Sequence, residues 1–359
     1  MRMFTEIHFP VEILPKELDN YLAKGWFRMG QMIFTCHVLC FRDQVYSTVW
    51  IRLEMEDYIF KKSARKLLLK NDKLFKTIIR KAIFDREKQK LYEGHKERFE
   101  GYIPNTLKES LFGMEEENLY DTYEVCVYEK DKLIAVSFFD IGSDSIASIM
   151  GLYDPDYSQF SLGIYTMLCE IEYGKEHDKK YYYPGYVVPD YKKFDYKLRV
   201  GKMDFYDVPS GSWKPIEELI KEVLPAETMR RMLSALQKAL AEKRILSKLL
   251  IYPFYDKDLF GYEEKEFLQS PLILNIQTPV NEKNELLFAE IDLVKKKFRL
   301  CKGGKVFNML PVLMSSFLES FDKRKSFLDF ILIEKTLTVN NVVPEIVEAV
   351  ELYINHSNE

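Results

Sequence analysis

The sequence predicts an α+β protein whose core is a mixed β-sheet, and the pattern that predicts it lies in the middle of the chain. Residues 123–129, 133–141 and 145–152 have the period and composition of three consecutive strands. Residues 161–176 follow with apolar side chains on one helical side, and residues 181–188 form a further tyrosine-rich strand. The predicted order is therefore three strands, a helix and a strand.

Turn residues separate these elements. Residues 130–132 and 142–144 carry turn chemistry between the first three strands. Asp154-Pro155-Asp156 ends the third strand, because proline cannot donate to a strand ladder. The helix is then expected to begin at Ser161.

The first part of the chain predicts short strands and turns. One helix is expected over residues 15–24, ending at Gly25, and residues 26–53 are rich in strand-forming side chains. Ser63 is a candidate cap for a helix that starts at Ala64.

The segment after this helix has apolar residues at helical spacing. They predict that the helix continues toward residue 95 through Leu74, Ile78, Ile79, Ala82 and Ile83. A further helix is expected around residues 107–112.

The last third of the chain changes character. Two helices are predicted over residues 215–224 and 226–247, broken at Pro225. Further predicted elements are strands at 272–277 and 286–293 and helices near 312–321 and 344–354. We expect three domains: a small N-terminal domain (1–110), the mixed-sheet domain (111–220) and an α/β C-terminal extension without a motif (221–359).

Composition limits the class of protein. At 359 residues and 47% hydrophobic, the chain is long enough to bury a large core. No apolar run approaches the roughly 20 residues of a membrane span, and the start has no signal-peptide pattern. Five cysteines without regular spacing do not form a disulfide framework. A cytoplasmic protein without a membrane partner is expected.

The net charge of −4 is unevenly distributed. Residues 58–98 contain 14 Lys or Arg against 5 Asp or Glu, so the rest of the chain is strongly acidic. Such a basic block is typical of a docking face for RNA phosphates. The solvated side of a long helix would produce the same pattern.

The stretch from residue 153 to residue 201 carries the most specific motifs. In order, they are Asp154-Pro155-Asp156, Ser161-Leu162-Gly163, Tyr181-Tyr182-Tyr183, Gly185-Tyr186 and Lys193-Phe194-Asp195-Tyr196-Lys197. Together they resemble the C-terminal domain of arginyl-tRNA–protein transferases and their bacterial leucyl relatives. The resemblance implies a fold like that of N-acetyltransferases and the transfer of an amino acid from charged tRNA to a protein N-terminus.

The resemblance extends to the N-terminal part of the chain. Gly25, Trp26, Arg28 and Gly30 match a family segment, and the basic residues around Ser63 resemble a family helix start. Similarity covers roughly residues 13–220.

The cysteines depart from the family pattern. Some members hold an iron–sulfur cluster with four thiolates, whereas Cys36 and Cys40 alone cannot supply them. Tyr191 stands where the family commonly has cysteine, and Phe194 replaces a methionine. We therefore expect no cofactor and no metal.

The resemblance also implies site residues. The expected catalytic residues are Ser161, Gly163, Tyr186 and Tyr196. The expected substrate-binding residues are Lys193, Lys197 and Arg199 for an acidic chain end, with Asp154, Asp156 and Glu170 as partners for an arginyl donor. The expected tRNA contacts are Arg28, Lys61, Lys62, Ser63, Arg65, Lys66 and Lys70.

Structural roles remain open for several of these residues. Ser161 is also a good helix cap, and Asp-Pro-Asp is good turn chemistry. The lysines and Arg199 would also suit a basic surface loop. Tyrosines 181–183 are candidates for stacking on the terminal adenine, although consecutive strand residues alternate between core and surface.

Three functions follow from the sequence. The first is transfer of arginine from Arg-tRNA to proteins that begin with an acidic residue, with aminoacyl-tRNA and such proteins as partners. The second is leucyl transfer on the same fold. The third is a non-catalytic adaptor that binds acidic N-termini.

Overall fold

The computed structural model describes residues 4–41, 43–98, 103–113, 117–256, 267–278, 285–306, 318–319 and 321–356. The chain forms two compact units, one of residues 1–6, 36–47 and 220–359 and the other of residues 7–35 and 48–219. The expected boundary near residue 220 lies at the division between these units, whereas residue 110 lies inside the second. The division into three domains stays a prediction.

The strands and helices are named here in chain order. The strands are β1 (Thr5–His8), β2 (Phe27–Met29), β3 (Met32–Cys36), β4 (Val38–Phe41), β5 (Gln44–Ser47), β6 (Val49–Glu54), β7 (Lys76–Lys81), β8 (Thr122–Glu129), β9 (Lys132–Ile141), β10 (Ser145–Tyr153), β11 (Tyr181–Tyr183), β12 (Tyr186–Val187), β13 (Asp204–Asp207), β14 (Ser212–Pro215), β15 (Ser247–Ile251), β16 (Leu272–Ile276), β17 (Glu285–Asp292), β18 (Lys297–Val306) and β19 (Phe330–Asn340). The helices are α1 (Pro15–Leu22), α2 (Lys62–Asp72), α3 (Arg86–Lys96), α4 (Leu107–Phe112), α5 (Leu162–Glu176), α6 (Pro225–Glu242) and α7 (Val343–His356). Short 3-10 helices span Pro155–Phe160, Lys192–Arg199, Ile216–Glu218 and Lys221–Val223.

The unit of residues 7–35 and 48–219 is built on a mixed sheet. Its order is β14-β13-β6-β11-β10-β9-β8-β7, with β12 also paired to β6. Strand β11 runs parallel to β10, whereas β9 runs antiparallel to it. This sheet confirms the mixed core that the sequence predicts, and the order β8-β9-β10-α5-β11 is the predicted one.

Helices cover both faces of this sheet. On one face α5 packs against β9 and β10, and α2 packs against α5. On the other face α3 and α4 enclose a core cluster with the strands; its members include Tyr92, Leu107, Leu111, Val136 and Phe138. Burial of such side chains contributes roughly 1.5–3 kcal/mol each. The site residues described below are therefore carried by a rigid, covered sheet.

The other unit contains an antiparallel sheet of order β15-β16-β17-β18-β19. Helices α6 and α7 pack on one face through Leu233, Leu236, Leu240, Ile346 and Val350. A second cluster, which includes Tyr252, Phe254, Phe288 and Phe330, covers the opposite face. The predicted strands at 272–277 and 286–293 and the helix at 344–354 are confirmed.

Four elements differ from the sequence-based expectation. The segment predicted to continue as a helix from Leu74 is the strand β7, paired with β8 at Ile79 opposite Val125. Helix α2 begins after Lys61 rather than at a Ser63 cap. The predicted helix at 215–224 is two 3-10 turns. The predicted strand at 181–188 is divided into β11 and β12.

The cause of the β7 error is the ambiguity of short apolar segments. Ile78 and Ile79 suit both a helical and an extended backbone by spacing, and β-branching favours the strand once β8 offers a partner. The helix expected near residues 312–321 lies largely outside the described residues. Among the residues that are described, no helix is long and apolar enough to span a bilayer.

Candidate functional site

Strands β10 and β11 part after three residues of parallel pairing. Ser145 to Ala147 pair with Tyr181 to Tyr183, and then Pro184 and Gly185 turn the chain away. Gly185 has φ +88°, which glycine adopts without steric cost. Strand β12 then pairs with β6, while β10 has a bulge between Ser148 and Met150. In sheets with helices on both faces, the carboxyl ends of two neighbouring parallel strands are a common position for a ligand.

A buried polar cluster lies where the two strands part. Glu170 of α5 is fully buried, and the Tyr182 hydroxyl donates a 2.7 Å hydrogen bond to its Oε2. Burial raises the pKa of Glu170 to about 7, against the opposing effect of the Ser137, Ser148 and Tyr182 hydroxyls. Its Oε1 is buried and has no hydrogen-bond partner among the described residues. The structure thus holds a buried carboxyl group whose pKa responds to hydroxyl groups of three strands, and only the Tyr182 hydroxyl makes a close hydrogen bond to it.

Lys197 lies in the 3-10 helix after the divided strand. Its Nζ donates a 2.9 Å hydrogen bond to the carbonyl of Tyr186 and lies 5.4 Å from the ring centroids of both Tyr186 and Phe194. A Cβ at Gly185 would lie 3.2 Å from this ammonium, so glycine leaves the space that Lys197 occupies. Burial lowers the pKa of Lys197 to about 7, and no carboxylate of the described residues lies within ion-pair distance of it.

The other predicted cations of this turn lie at the surface. Lys193 and Arg199 are exposed, as a basic surface loop would have them. Tyr196 is 42% exposed, and its pKa is raised by burial and then by the charges of Glu170 and Tyr153. Tyr196 is therefore the residue that lies near both the buried carboxyl and the Lys197 turn.

The start of α5 has an unusual backbone. Ser161 lies in the left-handed region (φ +51°, ψ +44°), and its carbonyl accepts the amides of Ile164 and Tyr165. Its hydroxyl makes no capping hydrogen bond, so the expectation of a side-chain cap is wrong. A methyl group at Gly163 would lie 3.9 Å from the ring of Tyr153, which places this helix start beside the end of β10.

In the acidic turn before α5, the carboxylate of Asp154 already has hydrogen-bond partners from nearby residues. Asp154 accepts the amide of Asp156 at 3.1 Å and pairs with Lys132 at 2.8 Å. The hydrogen bonds from Lys132 and Asp156 lower the pKa of Asp154, although burial alone, the largest effect, would raise it. Asp156 is exposed. The turn role therefore accounts for Asp154.

The basic helix α2 adjoins the start of α5. Asn71 donates a 3.0 Å hydrogen bond to the carbonyl of Phe160, and Asp72 accepts one from Tyr165 at 2.7 Å. Lys70 lies 4.9 Å from the ring centroid of Phe160. The side chains predicted here to contact tRNA are all exposed: Lys61, Lys62, Ser63, Arg65, Lys66 and Lys70. The structure thus places the last turn of α2, which carries Lys70, beside the Ser161 helix start.

Arg28, the remaining predicted tRNA contact, is a buried structural residue. Its guanidinium is 1% exposed and pairs with Asp140 at 2.7 Å. It also donates to Thr122 at 2.9 Å and to the carbonyl of Leu111. A phosphate cannot reach a cation in this position, so the tRNA assignment of Arg28 is wrong.

Two further features concern the neighbourhood of the site. Tyr182 and Tyr183 are buried and Tyr181 lies 4.4 Å from the guanidinium of Arg52, so these tyrosines divide between core and surface. A cavity of about 270 Å³ lies elsewhere in this unit, lined by Ile13, Pro15, Leu18, Leu119, Tyr120, Asp121 and Ile141. None of the predicted site residues lines it.

The sequence did not show which hydroxyl groups surround Glu170. Ser137, Ser148 and Tyr182 come from three strands, and strand alternation alone does not show which of their side chains meet. The sequence also did not show that Arg98 contacts the end of β10. Arg98 donates a hydrogen bond to the carbonyl of Tyr153 at 3.3 Å and lies 5.5 Å from the ring of Tyr153. Its position at the end of the basic block was the available signal.

Comparison with known proteins identifies the family. The family model "Arginine-tRNA-protein transferase, C terminus" matches residues 87–207. The chain is 34% identical over 194 residues to the aspartate/glutamate leucyltransferase of Campylobacter jejuni, covering 52% of this chain and 79% of the relative. It is 27% identical over 194 residues to the enzyme of that name from Leptospira interrogans, covering 53% of this chain and 74% of the relative.

A eukaryotic relative matches a shorter segment. The arginyl-tRNA–protein transferase of Saccharomyces cerevisiae is 36% identical over 98 residues, which are 26% of this chain and 19% of the yeast protein. Among solved structures, a GCN5-related acetyltransferase region of a fungal glucosaminidase has a TM-score of only 0.28 at 13% identity, over 53% of this chain and 21% of that one. With the motifs and the geometry above, the sequence matches show that this chain belongs to the arginine-tRNA–protein transferase family of aminoacyl-tRNA–protein transferases.

Proposed function

We propose that this protein transfers an amino acid from a charged tRNA to the N-terminal α-amine of proteins that begin with Asp or Glu. The observation that carries the acceptor assignment is Lys197. An ammonium removed from water without a carboxylate partner is costly, and a bound anion offsets that cost. The side-chain carboxylate of an acidic first residue supplies such an anion at the carboxyl end of β11.

The architecture supports the proposal. We infer an N-acetyltransferase-like layout from three antiparallel strands, a helix and a parallel strand that separates from β10. In this layout the acceptor enters beside β12 and Lys197. The donor enters between the end of β10 and the start of α5, where Ser161 and Gly163 lie.

The donor side suits a nucleotide end. The backbone amides that open a helix attract anionic groups, and the last turn of α2, which carries the exposed Lys70, lies next to this helix start. We assign phosphate contacts to Lys61, Lys62, Arg65, Lys66 and Lys70, with Ser63 as a hydroxyl donor. Such contacts position the tRNA without reading its sequence.

The chemistry needs little beyond positioning. An ester is already activated, and an α-amine with a pKa of about 7.7–8.0 has a neutral fraction near pH 7. The reaction is accelerated because the protein holds the amine close to the ester carbonyl and stabilises the oxyanion that develops there. We assign the oxyanion contact to the backbone at Ser161 and Gly163. Tyr186 and Tyr196 hold the Lys197 turn against the acceptor.

Leucine is the donor that we propose first, because two of the relatives described above are named as leucyltransferases. Arginine is the second candidate, and one observation favours it. Glu170 is a buried carboxyl group that no Lys or Arg of the described residues pairs with, and a guanidinium would supply that partner, whereas Asp154 is already paired with Lys132. Which amino acid is transferred depends on which donor side chain, leucyl or arginyl, can lie beside Glu170.

A transfer assay tests the proposal. Purified full-length protein is incubated with an Asp-initiated peptide and with tRNA charged with labelled leucine or arginine. We expect label in the Asp peptide and little in an Asn-initiated peptide of the same sequence. Peptide binding without label from either donor would identify an adaptor, and equal labelling of both peptides would refute the role of Lys197.

A further inference from the structure

An exposed arginine that the proposed function does not use lies at the end of β10. Arg98 follows the end of α3, and its Nη2 donates a 3.3 Å hydrogen bond to the carbonyl of Tyr153. Its Nε donates at 2.9 Å to the carbonyl of Gly94. The guanidinium carbon lies 5.5 Å from the centroid of the Tyr153 ring, within the range of a cation–π contact. Neutral partners therefore hold this cation at the last residue of β10.

The ring of Tyr153 connects Arg98 to the start of α5. A methyl group added at Gly163 would lie 3.9 Å from two carbon atoms of this ring. The amides of Leu162 and Gly163 belong to the first turn of α5, so they have no acceptor within the helix. Arg98, the Tyr153 ring and these amides thus follow one another across the place where the donor is proposed to enter.

A second cation reaches the same helix start from α2. Lys70 lies 4.9 Å from the ring centroid of Phe160, the residue before Ser161, and Asn71 donates to the Phe160 carbonyl. Helix α2 packs against α5, whereas α3 packs against β9 and β10 on the opposite face of the sheet. The start of α5 therefore has one cation from a helix on each face of the sheet.

We propose that Arg98 binds a backbone phosphate in the single-stranded 3′ end of the donor tRNA and so holds the aminoacyl ester at the start of α5. This inference rests on the proposed transfer reaction. A guanidinium presents its N–H groups in a planar fork that matches the oxygens of a phosphate. Nε and one Nη of Arg98 are used by protein carbonyls, and Nη1 makes no hydrogen bond to the described residues.

The acidic group near Arg98 already has its own cation. Asp154 pairs with Lys132 at 2.8 Å. The hydrogen bond from Lys132 lowers the pKa of Asp154 more than the charge of Arg98 does, although burial, the largest effect, would raise it. Arg98 itself forms no ion pair with a carboxylate of the described residues. Its charge is therefore available to an anion that arrives with the substrate.

The substitution Arg98→Gln tests the inference on the full-length protein. We expect Kd and KM for charged tRNA to rise about 5-fold, the effect of losing one exposed ion pair, with kcat and the KM for peptide unchanged. The slope of log affinity against log salt should become shallower by about 0.7, the value for one phosphate of a single strand. Arg98→Lys keeps a positive charge and should keep the wild-type slope.

The matched control is Arg86→Gln. Arg86 is an exposed arginine at the first turn of α3, about 18 Å of helix away from Arg98. This variant should change neither the tRNA affinity nor its salt dependence. An equal effect of both variants would show that any charge on α3 attracts tRNA, and the specific contact of Arg98 would be refuted.

A modified RNA locates the contact on the substrate. A minihelix with the tRNA acceptor stem and 3′ end is prepared with ordinary linkages or with uncharged methylphosphonate linkages in its single-stranded end. Removal of these charges should weaken binding to wild type by a larger factor than binding to Arg98→Gln. Equal factors for both proteins would place the contact elsewhere and overturn the inference. So would undiminished binding of the uncharged RNA to wild type, a result that requires no variant to fold.

The outcomes separate this inference from the proposed function. If wild type transfers label and Arg98→Gln keeps its tRNA affinity and salt slope, the phosphate contact is refuted. A rise in the KM for peptide alone would place Arg98 on the acceptor side and also overturn it. Failure of wild type to transfer label from either donor refutes the proposed function itself, whereas the tRNA-binding measurements still decide the role of Arg98.

Discussion

Lys197 provides the sharpest test of how stability and recognition are related in this protein. The substitution Lys197→Met replaces the ammonium with an apolar group of similar length. In the folded protein this group lies against the rings of Tyr186 and Phe194. Methionine fits that surface and removes a cation that lacks a carboxylate partner. We expect the variant to be more stable than wild type near pH 6 and unable to select acidic peptides.

The magnitude follows from the pKa of Lys197, which burial lowers from 10.5 to about 7. Such a change corresponds to at most about 5 kcal/mol against the charged form. Partial exposure and the two ring contacts reduce this penalty to about 1–3 kcal/mol. Loss of the hydrogen bond to the Tyr186 carbonyl costs about 1 kcal/mol in the opposite direction. A net gain of up to about 2 kcal/mol is therefore expected near pH 6.

The way in which the stability difference between Lys197→Met and wild type changes with pH distinguishes the charge of Lys197 from a general effect of packing. The folded state prefers neutral Lys197, so wild type carries the full penalty below pH 7 and loses it as pH rises toward 10.5. The advantage of Lys197→Met in urea unfolding should therefore be largest at pH 6 and smaller at pH 9. Lys192→Met, at an exposed position of the same turn, should change little at either pH. A gain that is equal at both pH values, or a loss at pH 6, would refute the reasoning.

Three other predictions concern the fold and the tRNA surface. Arg28→Met leaves a buried carboxylate unpaired and should cost about 3–5 kcal/mol in urea unfolding; a smaller loss would contradict its structural role. Lys66→Glu and Lys70→Glu should weaken tRNA binding and flatten its salt dependence, whereas Lys238→Glu in the other unit should not; equal effects would discard α2 as the docking helix. Ser161→Val should cost about 1–2 kcal/mol and the matching glycine variant less, because a β-branched residue disfavours φ +51°; the reverse order would contradict the observed backbone.

The sequence predicts those elements whose patterns are local. Strands β8, β9 and β10 and helix α5 follow from periods of 2 and 3.6, which depend only on which face is buried. The proline after β10 and the turn residues between strands set their ends. Strand β7 was missed because its isoleucines match both periods, and pairing with β8 decides between them.

The candidate site depends on contacts that are distant in sequence. Glu170 and Tyr182 meet because β11 lies parallel to β10 under α5, a register that no local pattern specifies. Arg28 resembled a tRNA contact by its position in a motif, but its partner Asp140 lies 112 residues away. The low pKa of Lys197 likewise arises from tertiary burial. The residue types at the site were predictable, whereas their ionisation and partners required the structure.

Selectivity for the acceptor is the measurement that tests the central claim most directly. The kcat/KM values for transfer to Asp-initiated and Asn-initiated peptides should be compared in wild type and in Lys197→Met at pH 6.5. We predict a wild-type preference for Asp of at least about 10-fold, equivalent to about 1.4 kcal/mol, that is lost in the variant. A preference that survives removal of Lys197 would contradict the assignment of this lysine as the group that recognises the acidic chain end.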